Sequence, residues 1–196
     1  YVTLLSAGHT TPAPWINVIA NPQFGFQAST EGSGYTWADN SKENQLTAWS
    51  NDPVTDPVSE VIYIRDEETL DLWTTTAQPI RDGGTYIARH GYGYSSFEHQ
   101  VHGIHSELLQ YVPVADPVKI SRLTLRNQTN APRRLSVTCY VEWVLGASRS
   151  VTAPFITTQI DAQTGAMLAH NPWNAAFPGR VAFLDLGGQQ TSWTAD

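Results

Sequence analysis

Period-two alternation of apolar and polar positions organises this chain. Leu135, Val137, Cys139, Val141, Trp143 and Leu145 take every second position of one run, with Ser136, Thr138, Tyr140 and Glu142 between them. Successive side chains of a strand point to opposite faces, so the run predicts one apolar and one wetter face. Cys139 then points into the core as a small buried hydrophobe, with no neighbour that would lower its pKa. Further strands are expected over Trp15–Ala20, Phe24–Ala28, Glu60–Arg65, Thr85–Arg89, Phe97–Val101, Ile104–Val112, Lys119–Arg126, Phe155–Ile160, Ala166–His170 and Arg180–Leu186. No stretch carries the 3.6-residue spacing of a long amphipathic helix.

Turn residues separate these runs. Asp161-Ala162-Gln163-Thr164-Gly165 predicts a hairpin with Gly165 at positive φ. Asp66-Glu67-Glu68-Thr69 has the same shape, but Leu70 stands where the glycine would be. A leucine at positive φ costs about 1 kcal/mol, so Asp71 is expected to absorb that conformation or the turn to differ. A turn at His102-Gly103 sets His99 opposite Ser106, His105 opposite Gln100 and Glu98 opposite Glu107. About eleven short strands with regular turns predict an all-β fold, an antiparallel two-sheet sandwich forming a single domain over residues 1–196. Two segments read as long loops: Thr30–Pro57, with Tyr35, Trp37 and Trp49, and Asn171–Gly179, with Trp173 and Phe177. Aromatics on polar loops either pin the loops to the body or bind a sugar or another domain.

Composition narrows the function classes. Charged residues are 15% and aromatics 11% of the 196, the reverse of a disordered chain. The net charge is −7, and only Lys42 and Lys119 among the basic residues are lysines. There is no basic stripe, so no nucleic-acid partner is expected. A single cysteine excludes an internal disulfide or a multi-cysteine zinc site. No apolar run approaches the ~20 residues that cross a bilayer, so no membrane contact by this segment is expected. The chain opens at Tyr1 with no targeting signal and reads as a piece of something longer. The Asn127-Gln128-Thr129 triplet matches a glycosylation acceptor, a pattern that also arises by chance.

No self-contained active site is legible. His90, His99, His102 and His105 suggest a metal site, yet the odd spacing of His99 and His102 splits them between strand faces, so no metal is expected. Glu98 and Glu107 could serve as paired carboxylates, but cross-strand neighbours lie closer than the ~6.5–9.5 Å of an inverting pair. No Gly-x-Ser-x-Gly elbow and no phosphate-cradling glycine motif occurs, and no cofactor is expected.

Specific blocks carry a family resemblance. They are Trp15–Pro22 with Phe24-Gly25-Phe26, Gly32–Thr47, Trp49-Ser50-Asn51-Asp52-Pro53, Tyr63–Thr69, Arg89-His90-Gly91-Tyr92-Gly93-Tyr94, Asp116–Asn127, Pro132–Val137 and Tyr140–Trp143. From Thr11 to Gly188 the chain resembles the cyclic β-1,2-glucan synthases and, more widely, glycoside hydrolase family 94, the cellobiose and chitobiose phosphorylases. The resemblance implies a supersandwich of the galactose-mutarotase type that precedes an (α/α)₆ barrel. In that family a barrel aspartate is the general acid and phosphate attacks the anomeric carbon with inversion. Neither the barrel nor that aspartate falls in these residues. The implied partners are β-glucan or an oligosaccharide, the parent's barrel, and a second copy in a homodimer. The implied location is the cytoplasmic face of the bacterial inner membrane, as part of a membrane-bound parent.

Two groups are the candidate sugar-contacting residues: Tyr35, Trp37, Asp39 and Asn40, and Arg89, His90, Tyr92 and Tyr94 around Gly91 and Gly93. Each sets flat rings beside amide or charged groups, the mixture that sugar recognition uses. The bland alternative has Arg89 and His90 hydrogen-bonding Asp39 or Asp82 to pin their loop. The expected function is a non-catalytic domain of a glucan-processing transferase or phosphorylase. The alternatives are a free-standing carbohydrate-binding module and a small glycosidase using Glu98 and Glu107.

Overall fold

The structure is a computed structural model that describes residues 1–50, 52 and 54–195. Asn51 and Pro53 of the Trp49–Pro53 block, and the terminal Asp196, lie outside the described residues. The strands are β1 (Val2–Leu5), β2 (Ile16–Ala20), β3 (Phe24–Ser29), β4 (Gly34–Ala38), β5 (Gln45–Thr47), β6 (Glu60–Asp66), β7 (Leu72–Thr74) and β8 (Tyr86–Gly91). They continue with β9 (Tyr94–Val101), β10 (Ile104–Tyr111), β11 (Ile120–Asn127), β12 (Leu135–Val141), β13 (Trp143–Gly146), β14 (Thr157–Ile160), β15 (Met167–His170) and β16 (Val181–Leu184). Among the described residues, helix is confined to α1 (Arg149–Thr152) and a 3₁₀ turn over Ala153–Phe155.

The all-β expectation holds, but the strands form four antiparallel sheets in place of two. Sheet I runs β1-β8-β9-β10-β11, sheet II β13-β5-β4-β3-β2, sheet III β12-β6-β7 and sheet IV β14-β15-β16. The division has a visible cause in the Leu135–Leu145 run. Cys139 pairs with Ile62 and Val141 with Glu60 in sheet III, whereas Trp143 pairs with Thr47 in sheet II. Glu142 is the hand-over point, its N–H donating to the Ser59 carbonyl at 2.8 Å. Past it the ladder bulges, Leu145 takes φ 47°, and Val144 and Leu145 are both buried, which breaks the alternation. Cys139, expected in a closed core, is half-buried and lines an open cleft, where burial raises its pKa.

Buried apolar side chains tie the sheets together. Ile19, Phe26 and Ala28 of sheet II pack with Ala88, Phe97 and Leu108 of sheet I. Ile64 and Trp73 of sheet III pack with Ile104 of the same sheet I. Leu145 of sheet II packs with Ala169 and Ala182 of sheet IV.

The His102-Gly103 hairpin has the expected register: His99 faces Ser106, His105 faces Gln100, and Glu98 faces Glu107. Gly165 takes φ 76°, as its turn requires. Leu70, by contrast, adopts φ 65° itself rather than passing the conformation to Asp71. The Asp66 carboxylate holds that turn by accepting from the Glu68 and Thr69 amides, and Arg133 holds Asp66 in turn.

Four strands were not anticipated. β1 and β7 are short, and β4 and β5 lie inside Thr30–Pro57, which reads as loop in the sequence.

Candidate functional site

Tyr35 and Trp37 are strand residues of β4, not loop residues. They share the face of sheet II that points away from the Phe26 core, because Thr36 between them pairs with Phe26. Tyr35 is buried and stacks on Trp49, ring centres 5.1 Å apart and planes 14° from parallel. Burial raises the pKa of its hydroxyl, with a hydrogen bond from Ser41 opposing. Trp37 lies across Gly25: a Cβ there would come within 2.5 Å of the indole, so only glycine fits opposite it. Both rings are therefore engaged in packing.

Asp39 and Asn40 follow at the end of β4. Asp39 takes φ 61°, and its carboxylate accepts from Arg180 Nη2 at 2.7 Å. That ion pair joins sheet II to the start of β16. Asn40 folds onto its own backbone, its Oδ1 accepting from the Lys42 and Glu43 amides, both at 2.9 Å.

The second group sits on the β8–β9 hairpin. Arg89 Nη1 donates to Glu98 at 2.5 Å. His90 Nδ1 pairs with Ser95 Oγ at 2.9 Å, its Nε2 is buried, and its ring meets Phe97 edge to face. Burial lowers the His90 pKa, helped by the N-terminal ammonium. Tyr92 is fully exposed at the tip, while the Tyr94 ring covers Gly91. Asn17 of β2 clamps the hairpin by donating to the Gly91 and Tyr94 carbonyls at 3.1 and 2.9 Å. The pinning of the bland alternative uses partners other than Asp39 or Asp82: Arg89 bonds Glu98 and His90 bonds Ser95, while Asp39 holds Arg180 and Asp82 holds His99 at 2.8 Å.

The two groups do not converge. Asn17, which clamps the hairpin, pairs with Ala28 at one end of β3, whereas the Asp39 amide bonds to Gln23, just before its other end. Five residues of extended chain, about 17 Å, separate those points.

What the structure does bring together is a cleft of about 540 Å³ to which all four sheets contribute. At its base Lys119 Nζ lies 2.5 Å from Glu60 Oε2 and 4.6 Å above the Phe26 ring. Glu60 Oε1 also accepts from the Thr36 and Thr47 hydroxyls, both at 2.6 Å. Burial pushes the Glu60 pKa up, but the Lys119 charge and these hydrogen bonds outweigh it, so the net shift is downward. Trp143, Phe24 and Phe177 supply aromatic walls, and the Asp39–Arg180 pair stands at the rim. Glu98 and Glu107 do not line this cleft.

Sequence reasoning passed over Glu60 and Lys119, although a signal existed. Glu60 has the parity of Ile62 and Ile64, and Lys119 that of Leu123 and Leu125, so each is a charge in core-facing register. No cluster of metal-ligating side chains exists among the described residues. No helix among them is long and apolar enough to cross a membrane.

Comparison with known proteins gives this β-domain its place. The glycosyl hydrolase 94 supersandwich domain model matches residues 1–196, and the chain belongs to that family. It is 41% identical over 196 residues to a cyclic beta-(1,2)-glucan synthase of Rhizobium meliloti, covering 100% of this chain and 7% of that protein. It is 26% identical over 175 residues to an N,N'-diacetylchitobiose phosphorylase of Vibrio proteolyticus, covering 88% of this chain and 21% of the relative. A solabiose phosphorylase of Paenibacillus borealis is 29% identical over 169 residues, 84% of this chain and 22% of the relative. The chain thus spans less than a quarter of the length of each of these relatives.

Proposed function

We propose that this chain is a non-catalytic β-domain of a larger β-glucan-processing transferase or phosphorylase, where it buttresses a catalytic (α/α)₆ barrel and borders that barrel's sugar site. The observation that carries the reading is the family match along the whole chain, with relatives named for glucan synthesis and disaccharide phosphorolysis. The carboxylates that an independent glycosidase would use argue the same way. Glu98 is committed to Arg89, and it and Glu107 lie on sheet I away from the cleft. On this reading sheets II and III form one layer of a two-sheet supersandwich facing sheet I, which the shared apolar clusters support. The parent is membrane-bound, works at the cytoplasmic face of the bacterial inner membrane, and can pair as a homodimer. The candidate residues Tyr35, Trp37, Asp39, Asn40, Arg89, His90, Tyr92 and Tyr94 are proposed as sugar contacts, with Tyr92 and Tyr94 the exposed aromatics and Asp39 and Asn40 the exposed polar groups.

The test is incubation of the chain with β-1,2-glucan, with and without inorganic phosphate. No release of reducing sugar or glucose 1-phosphate is expected. Release that disappears in Glu98→Gln overturns the reading in favour of a glycosidase.

A further inference from the structure

We infer that the cleft above the Lys119–Glu60 pair is a binding site for a neutral oligosaccharide. The location stands on geometry, whereas the choice of a saccharide rests on the glucan-processing reading above. The cleft's volume, about 540 Å³, falls within the ~300–1,000 Å³ of small-ligand sites. It holds a buried ion pair at its base, and perturbed charged groups inside a cleft mark candidate functional sites.

Charge decides the ligand class. Among the described residues, the cations lining the cleft are Lys119 and Arg180. Lys119 is neutralised by Glu60 and Arg180 by Asp39. The other lining charge, Asp185, is negative. A phosphate or sugar phosphate would have to displace a carboxylate from one of these pairs, whereas a neutral polyol would not. The walls suit a sugar ring. Trp143 stands opposite Thr47, whose hydroxyl holds Glu60, so its half-buried indole faces this cleft, and Phe177, also half-buried, offers a second aromatic face for a sugar ring. Gln110 Nε2 donates to Ser121 Oγ at 3.2 Å, which leaves the amide oxygen and the Ser121 proton for sugar hydroxyls.

The position differs from both groups chosen by sequence. Only the Asp39–Arg180 pair touches the rim, and the 89–94 hairpin lies at the other end of sheet II.

The experiment titrates the chain with a short β-1,2-linked glucose oligosaccharide, read by tryptophan fluorescence and calorimetry. Saturable binding is expected, weakened at least tenfold by Phe177→Ala and left within twofold by Leu70→Gly, in an exposed turn outside the cleft. Inorganic phosphate and glucose 6-phosphate are expected neither to bind there nor to compete. Gln110→Ala repeats the test should Phe177→Ala fail to fold. Absence of saturable binding overturns the inference, as does binding that both cleft variants leave intact. Phosphate competition overturns the neutral-ligand argument. None of these outcomes touches the non-catalytic reading, which the turnover assay judges separately.

Discussion

Lys119 Nζ sits 2.5 Å from Glu60 Oε2 with only 14% and 20% of the two side chains exposed. Such a pair gains little over apolar residues of the same size, but losing one partner strands a charge away from water. Lys119→Met should therefore destabilise the fold by about 3 kcal/mol in chemical denaturation. Lys119→Met with Glu60→Gln should recover much of that loss, since no bare charge is left. Equal destabilisation in the single and double variants would show that the pair is not coupled.

The same carboxylate sets a pH dependence. The folded-state pKa of Glu60 lies below its usual value, burial being outweighed by Lys119 and two threonine hydroxyls. A group depressed on folding contributes stability above its unfolded pKa, about 4.3, and loses it as pH falls through the folded value. Glu67 behaves alike: Arg65 and Ser136 hold it at about 2. Its side-chain resonance should titrate near there, and Ser136→Ala should move the midpoint upward. A midpoint already near 4.3 in the unsubstituted chain would contradict the Arg65 and Ser136 contacts.

Backbone strain at Leu70 makes a cleaner prediction. Leu70 is 66% exposed and holds φ 65°, so its side chain contributes little burial to set against the conformational cost. Leu70→Gly should stabilise the chain by up to about 1 kcal/mol. The comparison is Leu145→Gly, also at positive φ but 5% exposed inside an apolar cluster. There the lost burial, about 2–3 kcal/mol, exceeds the relief, and the variant should melt lower. If both glycine variants lower the melting temperature alike, strain is not what Leu70 carries.

Residues that act through neighbours in sequence were legible, and those that act through distant pairing were not. The His102-Gly103 turn fixes Glu98 opposite Glu107 by counting along two strands, and the structure has that register. Alternation at Leu135–Leu145 correctly predicts strand, yet it names a face and not a partner. The transfer from Ile62 to Thr47 as pairing partner is set by strands nearly a hundred residues away. β4 was hidden because its Gly, Ser and Asn surroundings read as loop, although Tyr35 and Trp37 already alternate around Thr36. The candidate residues were chosen by type, and type does not reveal that Tyr35 is enclosed under Trp49 or that Arg89 is occupied by Glu98. The cleft needs all four sheets, so only the core-facing parity of Glu60 and Lys119 hinted at it.

Gly25 tests the β3–β4 pairing directly. A Cβ there would meet the Trp37 ring at 2.5 Å and the Ala20 Cβ at 2.8 Å. Gly25→Ala should cost about 1–3 kcal/mol as overpacking. Gly25→Ala with Trp37→Leu should cost less than the sum of the two single changes, because the smaller side chain vacates the space. Strict additivity would place the indole elsewhere.

Arg89 separates a structural from a functional hairpin. Its guanidinium neutralises Glu98, and Glu98 stands directly opposite Glu107, so removing it leaves two carboxylates as cross-strand neighbours. Like charges in that position repel, and at this partial exposure the loss in Arg89→Ala should be about 0.5–1 kcal/mol. The double variant Arg89→Ala with Glu98→Gln removes the repulsion and should return to nearly the original stability. Added salt should narrow the gap between the single and double variants, because the repulsion is screened. If Arg89 instead binds sugar in the parent enzyme, Arg89→Ala and the double variant should lose turnover or affinity equally, despite their different stabilities. Loss of a charge-assisted hydrogen bond of about 1.5–3 kcal/mol would appear as a roughly 10- to 150-fold effect. Full activity in the folded double variant would leave the hairpin a structural element that Asn17 clamps to sheet II.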